Sequence, residues 1–568
     1  MNRSTLLVLL CSIFFIGAVI GSCKGKARVG EVEIAEDTSD INDLATGVIQ
    51  ATLEELQATG KAEGKLPALR SVPLVKKVYA HFSYRPIWTN NGEWKPMADS
   101  LLAFIDSSRQ YGLFPGDYYG NKLAGLRQRL VEDTTAGAVT KLNASLWAEA
   151  DLWLTTAFVR LTKDLRAGRL FPDSILLQRD SVLRDNFFTG QVTALQQGAS
   201  MQQVAESSEP EHPGYHQVKA YLQDFLPGAN LRKYTYVNPK DSARLPARLR
   251  KRLGEEASVV LHKKGTDSLV LADAIRQYQK SKGLKPDGKI SAALVTELNN
   301  NDRDRFIRLA IALDRYKGLP RTMPDQYIWV NIPSYRMQVR AGDSVLLESK
   351  VVVGTPKTRT PELTSAISDM VTYPKWTIPP SIIKKDIIPG MKRNPGYIYR
   401  KGFSLVDNEG KPVDPYGVNW AKYHNSIPYK VVQGSGDDNA LGVMKFNFSN
   451  DHSVYLHDTN QRYLFSKKSR ALSHGCVRVE QWDALAYYIL RQDSTLREEN
   501  AISPKAVPAD SLRSWLAQKK KKYIRVRGNI PLFIRYFTCD VINGKLVFYE
   551  DVYGEDRRLQ EKYFVQKN

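Results

Sequence analysis

Cysteine is scarce in this chain, with four in 568 residues, which excludes a small fold stapled by disulfides. Cys11 falls inside an apolar N-terminal run and Cys23 at its end, leaving Cys476 and Cys539 for the folded body. A bridge between those two would silence whichever one is reactive. Cys-x-x-Cys is absent, so the commonest zinc spacings are missing. Acidic residues are also short, 60 against 81 basic, for a formal net charge of +21. That excess points to anionic partners such as a cell-wall matrix or a lipid surface. The basic run Lys519-Lys520-Lys521-Lys522 reads as a solvated face.

The apolar run from Thr5 to Gly21 is slightly short for a membrane-spanning helix. It follows the positive Met1-Asn2-Arg3 and ends in Ile20-Gly21-Ser22-Cys23, which looks like a bacterial lipobox. Residues 1–22 are therefore expected to be a lipoprotein signal peptide, with lipid on Cys23; an ordinary transmembrane anchor is the alternative. Acyl chains contribute about 0.8 kcal/mol per buried CH₂, so lasting attachment takes two or more. Both readings put the body outside the cytoplasm, anchored to a membrane, which excludes nucleic acid as a partner.

A length of 568 residues predicts several domains. Residues 23–65 are polar, acidic and helix-compatible, as in a tether or a loosely packed lead-in. Residues 66–240, with 301–322 returning to them, form a helical scaffold; Leu152, Leu154, Ala157, Phe158, Leu161 and Leu165 mark one helix face that stops near Gly168. Residues 241–300 are a smaller helical unit, with a helix through Leu271, Ala274, Ile275 and Tyr278, a turn at Lys285-Pro286-Asp287-Gly288, and a second helix capped by Ser291. From residue 323 to 568 strands dominate: Tyr327 to Ile332, Arg336 to Arg340, a hairpin at Ala341-Gly342-Asp343, and Val345 to Val353. Residues 380–436 interrupt them with a Pro- and Gly-rich, basic, aromatic stretch, either a lid or a surface loop with a core of its own. The fold class is α+β multidomain.

The segment Ser473-His474-Gly475-Cys476-Val477-Arg478, with Tyr455-Leu456-His457-Asp458-Thr459 ahead of it, offers a thiol and two imidazoles. A thiol with a reference pKa of about 8.5 attacks carbonyls only as thiolate and needs a base or a positive field. Alternation over Ser453 to His457 puts Tyr455 and His457 on one strand face. The helical spacing of Trp482, Leu485, Ala486 and Ile489 places Cys476 on the loop entering a helix, where the dipole favours a thiolate. The backbone N–H groups of Gly475 and Cys476 are candidate oxyanion donors, each a term of a few kcal/mol. Two other readings compete: Cys476 as a small buried hydrophobe, or a zinc site from His452, His457, His474 and Cys476, whose spacing matches no usual zinc set. Cys539, after the strand-like Leu532 to Phe537, reads as a buried structural thiol.

His457, about fifteen residues, and then the Ser473 to Arg478 hexapeptide resemble the signature of the YkuD-type L,D-transpeptidases, bacterial enzymes that cross-link peptidoglycan. Val330-Asn331-Ile332-Pro333, Val351-Val352-Val353-Gly354, Asn439-Ala440-Leu441-Gly442 and Arg470-Ala471-Leu472 resemble the large, multi-domain YcbB-like subgroup. So do the scaffold markers Tyr84-Arg85-Pro86-Ile87-Trp88 and Tyr111-Gly112-Leu113, while the 241–300 unit resembles a peptidoglycan-binding module. The resemblance implies a helical scaffold, that small module and a mainly-β catalytic domain with an inserted lid. It implies a cysteine acyltransferase of cell-wall biogenesis and cell shape, working in the periplasm and open to attack by carbapenems. Cys476 would attack a tetrapeptide donor stem, release D-alanine, and pass the acyl group from a thioester to a diamino-acid amine, giving 3-3 cross-links without metal or cofactor. His457 is the expected base and His474 the second candidate. Ser473 would hold an imidazole tautomer, and Tyr455 and Arg478 would contact substrate, although Arg478 equally suits a brace for the loop. The alternatives are a non-enzymatic wall-binding lipoprotein, or an L,D-carboxypeptidase or amidase using the same thiol.

Overall fold

Apolar side chains at three- and four-residue spacing build the first half of the chain as helices. The computed structural model describes residues 28–59, 71–135, 142–170, 183, 186–239, 241–261, 267–499 and 507–563; the lipobox and Cys23 lie outside them. The described residues fall into two compact units: the first holds those up to Ser107, Phe114–Asp164 and the described residues from 183 to 207, the second Ser108–Leu113, residues 165–170 and those from Ser208 onward.

In the first unit, helix α1 (Ile41–Thr59) buries Ile41, Ala45, Val48, Ile49, Leu53 and Leu56. This corrects the tether expected over 23–65: the acidic composition belongs to a solvent face, with Asp43 and Glu54 exposed. Then come α2 (Val72–His81), α3 (Pro96–Ser107), α4 (Gly120–Thr135), α5 (Ala144–Ala167), α6 (Phe187–Gln196) and α7 (Met201–Ser208). The face read on α5 is buried throughout, and Gly168 at φ +69° ends it. Asp151 of α5 is buried, its carboxylate accepting from Tyr79 Oη at 2.6 Å and from the amides of Ile87, Trp88 and Thr89 at 2.9, 2.8 and 3.1 Å. The Ile87-Trp88 marker thus supplies the donors that an otherwise costly buried carboxylate needs.

From Ser208 onward the second unit begins with α8 (Pro213–Phe225). Next, α9 (Leu245–Gly254), α10 (Asp267–Ser281) and α11 (Ala292–Asn299) enclose a core of Leu249, Leu253, Leu271, Ile275, Tyr278 and Leu298. Ser291 caps α11 as expected, its hydroxyl accepting from Leu294 N at 3.1 Å. Helix α12 (Asp302–Lys317) groups with the strands that follow it rather than returning to the helical scaffold as expected. The reason is contact: Tyr316 packs on Phe537 at 4.5 Å between ring centres, and Arg308 donates to Thr538 O at 2.9 Å.

The strands are β1 (Gln326–Asn331), β2 (Arg336–Ala341), β3 (Ser344–Gly354), β4 (Leu363–Thr372), β5 (Trp376–Thr377), β6 (Phe403–Val406), β7 (Lys430–Gln433), β8 (Met444–Phe448), β9 (Leu456–His457), β10 (Ala471–Ser473), β11 (Val477–Val479), β12 (Lys522–Arg525), β13 (Pro531–Arg535), β14 (Cys539–Ile542) and β15 (Lys545–Phe548). The path β8-β9-β11-β3-β2-β1-β13-β4 closes on itself because β4 also pairs with β8. Ile328, Val330, Met337, Val351, Met370, Phe446, Leu456 and Val477 share one core with Leu485 and Ile489 of α13 (Trp482–Glu499). Each such side chain contributes about 1.5–3 kcal/mol on burial. Helices α14 (Ala509–Ala517) and α15 (Glu555–Tyr563) follow.

The 380–436 stretch is less irregular than expected. Strands β6 and β7 join β5 in a three-stranded sheet over a core of Ile378, Ile387, Met391, Ile398, Leu405 and Trp420. Cys539 is fully buried and its thiol is pushed up to about 12, as a structural role requires. Among the described residues no helix is long and apolar enough to cross a membrane.

His212 caps α8, its Nδ1 accepting from Gly214 N at 3.0 Å, with the ring 4.8 Å from that of Tyr316. Burial, aided by Arg340, lowers its pKa to about 4. Because the unfolded chain takes up this proton first, the contribution of His212 is complete above about pH 6.5 and is lost as pH falls toward 4. Thermal melts should show wild type losing on the order of 3 kcal/mol relative to His212→Asn, a neutral cap, across that window. Parallel stability curves for the two proteins would contradict this.

Candidate active site

Strand β9 ends at His457 and runs parallel to β11, in register Leu456 with Val477 and His457 with Arg478. This pairing brings the Tyr455-x-His457 strand end beside the turn that carries Cys476, although the two are far apart in sequence. Cys476, His457, His474, Tyr455, Ser473 and Arg478 all line one cavity of about 280 Å³. From the 380–436 side it is closed by Pro380, Ser381 and Ile382, with Trp376 of β5 beside them.

Cys476 precedes the strand β11, not a helix; α13 begins only at Trp482. The expected help from a helix dipole is therefore absent, and burial pushes the thiol above its ordinary value. Working against burial are the backbone N–H and the hydroxyl of Tyr455, which face the sulfur, and the cations Lys445 and Arg478. The residue is half-buried and lines the cavity. Ser453 O lies 3.9 Å from Sγ.

His457 is buried, and its Nδ1 bonds the Asp458 carbonyl. A carbonyl only accepts, so Nδ1 carries the hydrogen and Nε2 keeps its lone pair. Burial, and next Arg478, lower this imidazole to about 3, so it is neutral at physiological pH. The tautomer is thus set by Asp458, not by Ser473 as expected. Asp458 is fixed in turn by Arg462 at 2.9 Å and by Val443 N at 3.0 Å. Gly442, at φ +61°, leaves room for it, since a Cβ there would meet Asp458 Oδ2 at 2.2 Å.

Ser473 Oγ instead holds the nucleophile turn together: it donates to Cys476 O at 2.6 Å and accepts from Gly475 N at 3.1 Å. The Gly475 amide is thereby engaged, which removes it from the expected oxyanion pair and leaves the Cys476 amide. Gly475 adopts φ +126°, a conformation that side chains resist. Thr360 Oγ1 donates to Gly475 O at 2.7 Å, and Thr358 Oγ1 to Ser473 O at 3.0 Å.

His474 turns outward, half-exposed, with Nε2 3.1 Å from Asp386 Oδ2. Arg478 donates to Gln461 Oε1 at 2.7 Å and Thr459 Oγ1 at 3.3 Å, while its buried Nε has no partner among the described residues. It braces the loop and keeps a donor to spare. Among the described residues no three His, Cys, Asp or Glu side chains cluster as a metal ion would need.

Sequence reasoning missed Trp376, whose Nε1 donates to Tyr455 Oη at 2.9 Å, and Lys445, whose Nζ lies 4.0 Å from the centre of the Tyr455 ring. Lys445 had a signal: the alternation of Lys445 and Asn447 with Phe446 and Phe448 puts it on the polar face, and it pairs with His457. Trp376, Asp386 and Thr360 had none.

Residues 325–496 match the family model of the L,D-transpeptidase catalytic domain, YkuD, and residues 73–222 that of a scaffold domain. A Haemophilus influenzae protein described as a proposed L,D-transpeptidase is 40% identical over 242 residues, covering 42% of this chain and 47% of the relative. The chain thus spans about half the length of that curated relative. Among solved structures, an L,D-transpeptidase from Mycobacterium smegmatis is 13% identical over 37% of this chain and 58% of its own, at a TM-score of 0.18. The ertapenem-acylated catalytic domain of an Enterococcus faecium L,D-transpeptidase is 13% identical over 38% of this chain and 99% of its own, at 0.16.

With a raised thiol and a neutral imidazole, the resting pair is uncharged. Alkylation of Cys476 by iodoacetamide, read by peptide mass, should rise about tenfold per pH unit from pH 6 to 8. A flat shelf over that range would mean a preformed thiolate–imidazolium pair. Tyr455→Phe, which removes one donor facing the sulfur, should slow the reaction several-fold at each pH.

Proposed function

We propose, from the premise that residues 325–496 are a YkuD L,D-transpeptidase catalytic domain, that this chain joins peptidoglycan stem peptides through a thioester on Cys476. The observation that carries the reading is the single cavity lined by a half-buried thiol, a neutral imidazole whose Nδ1 is held by the Asp458 carbonyl, and an arginine with a spare donor.

Substrate binding expels water and brings a peptide carbonyl to the sulfur. His457 Nε2 takes the Cys476 proton as the sulfur attacks the carbonyl carbon of the third stem residue. The tetrahedral oxygen gains negative charge, and the Cys476 amide, which Ser473 leaves unengaged, serves as its donor, a contribution of a few kcal/mol. The carbon–nitrogen bond breaks, the proton passes from His457 to the departing amine, and D-alanine leaves. An acceptor amine then attacks the thioester, gives its proton to His457, and releases Cys476 as thiolate. Tyr455 N–H, Tyr455 hydroxyl, Lys445 and Arg478 stabilise that thiolate. Arg478 Nε is suited to the donor carboxylate, a charge-assisted bond that fixes the stem end. His474, bonded to Asp386, acts as a contact of the nucleophile loop with the 380–436 segment rather than as a base.

Mass spectrometry of products from disaccharide-tetrapeptides and the full chain tests the reading. Released D-alanine with 3-3 dimers is expected, and both should fall at least about a thousandfold in Cys476→Ala and in His457→Ala. Activity retained by Cys476→Ala would remove the nucleophile from this account. Tripeptide monomers alone would make the chain a carboxypeptidase.

Cys23 is the proposed lipid anchor that holds this domain at a membrane outside the cytoplasm. Metabolic labelling with a fatty acid should tag wild type and not Cys23→Ser; equal labelling of both would overturn the anchor.

A further inference from the structure

A second cavity, larger than the first at about 410 Å³, lies in the second unit where the small module meets the end of the catalytic domain. Its walls come from the extended segment 233–236, from α9, from the start of α12 and from α15. None of its residues lines the Cys476 cavity.

Charge is what sets it apart. Five cations, Lys233, Arg248, Lys251, Arg303 and Arg557, face three carboxylates, Glu255, Asp304 and Glu561. One of the carboxylates is ion-paired, and a second is held by neutral donors. Glu255 accepts from Thr235 N at 2.7 Å and Thr235 Oγ1 at 2.5 Å, and Glu561 pairs with Arg557 at 2.8 Å. Asp304 is raised by burial to about 6, with Arg308 the first of the cations that oppose this.

The four other cations outnumber the two unpaired carboxylates. Arg303 donates one Nη1 to Leu231 O at 3.3 Å, and its guanidinium is destabilised by burial and by Arg109, with no carboxylate in support. Arg248 likewise spends one Nη1 on Tyr236 O at 3.4 Å. Arg303, Arg248, Lys251 and Lys233 make no ion pair among the described residues. Uncompensated positive charge around a concavity is an anion site waiting for its counter-charge. The wall is also firm, because Arg557 stacks 3.7 Å from the centre of the Tyr236 ring and the buried Arg252 stacks on Tyr234 at 4.1 Å.

We infer that this cleft is a second binding site, separate from the Cys476 cavity, for a solute carrying two or more carboxylates or phosphates. The volume suits a short acidic peptide or a phosphorylated sugar unit and is too small for a folded partner. Guanidinium forks at Arg248 and Arg303 grip planar or tetrahedral oxyanions in pairs, while Lys233 and Lys251 add point charge at the rim. The inference does not depend on the proposed transpeptidase chemistry.

Calorimetric titration of the full chain with citrate, with a short glutamate-containing peptide and with pyrophosphate tests it, the three probes separating carboxylate from phosphate sources. At least one probe should bind, more weakly as salt rises. The double variant Lys233→Glu with Lys251→Glu, both at exposed positions, and separately Arg303→Gln, should each weaken that binding by about tenfold or more. Cys476→Ala should bind as wild type does. Binding that the cleft variants leave unchanged, or no binding by any probe at low salt, would overturn the site.

Discussion

The Ser473 hydroxyl bridges the two ends of a turn that the backbone would not otherwise hold. It accepts from Gly475 N and donates to Cys476 O, with Gly475 between them at φ +126°. Each bond is worth about 1 kcal/mol in net stability, yet together they fix where the sulfur stands, and placement is what acyl transfer most needs. Thr360 and Thr358 clasp the same turn from the loop after β3. Thr360 is held in turn: its amide donates to Tyr553 Oη, which donates to Gly354 O. The turn that carries Cys476 is therefore anchored on the closed sheet through Thr360 and Thr358 as well as through Ser473.

Electrostatics pull the other way. Taking Cys476 and His457 partly out of water disfavours both charged forms, the thiolate and the imidazolium. In the transpeptidase reading proposed above, a pair so treated would stay neutral until a substrate supplied a carbonyl whose developing charge the site could stabilise. Lys445, Arg478 and the two donors of Tyr455 are the fixed charges and dipoles that make the transferred state accessible. The design resembles preorganised solvation more than a standing ion pair, since the donors are set before any charge appears.

Local signals carried much of this. The hexapeptide at Cys476, the shared face of Tyr455 and His457, the Ser291 cap and the Ala341-Gly342-Asp343 hairpin are written in neighbouring residues, and periodicity or turn chemistry reads them. What escaped is long-range or depends on packing. The bond from Thr360 to Gly475 spans 115 residues and that from Asp386 to His474 spans 88; no spacing rule reaches so far. The helical pattern after Trp482 was real, but three residues of strand stand between it and Cys476, enough to remove the dipole from the thiol. The helical character of residues 41–59 is legible, but the acidic composition hides the apolar stripe that packs it.

The segment over the cavity illustrates how stability is divided from function. Its sheet of β5, β6 and β7 closes on ten buried side chains of its own, and at about 1.5–3 kcal/mol each that burial far exceeds anything it gains from the nucleophile loop. Two hydrogen bonds tie it to that loop and its neighbour, Trp376 to Tyr455 and Asp386 to His474, and each adds about 1 kcal/mol. The segment therefore owes its fold to its own core and its position over the site to a few polar contacts. Because one of those contacts ends on the tyrosine whose hydroxyl faces the sulfur, the placement of Trp376 and the hydrogen bonding of Cys476 are a single connected system.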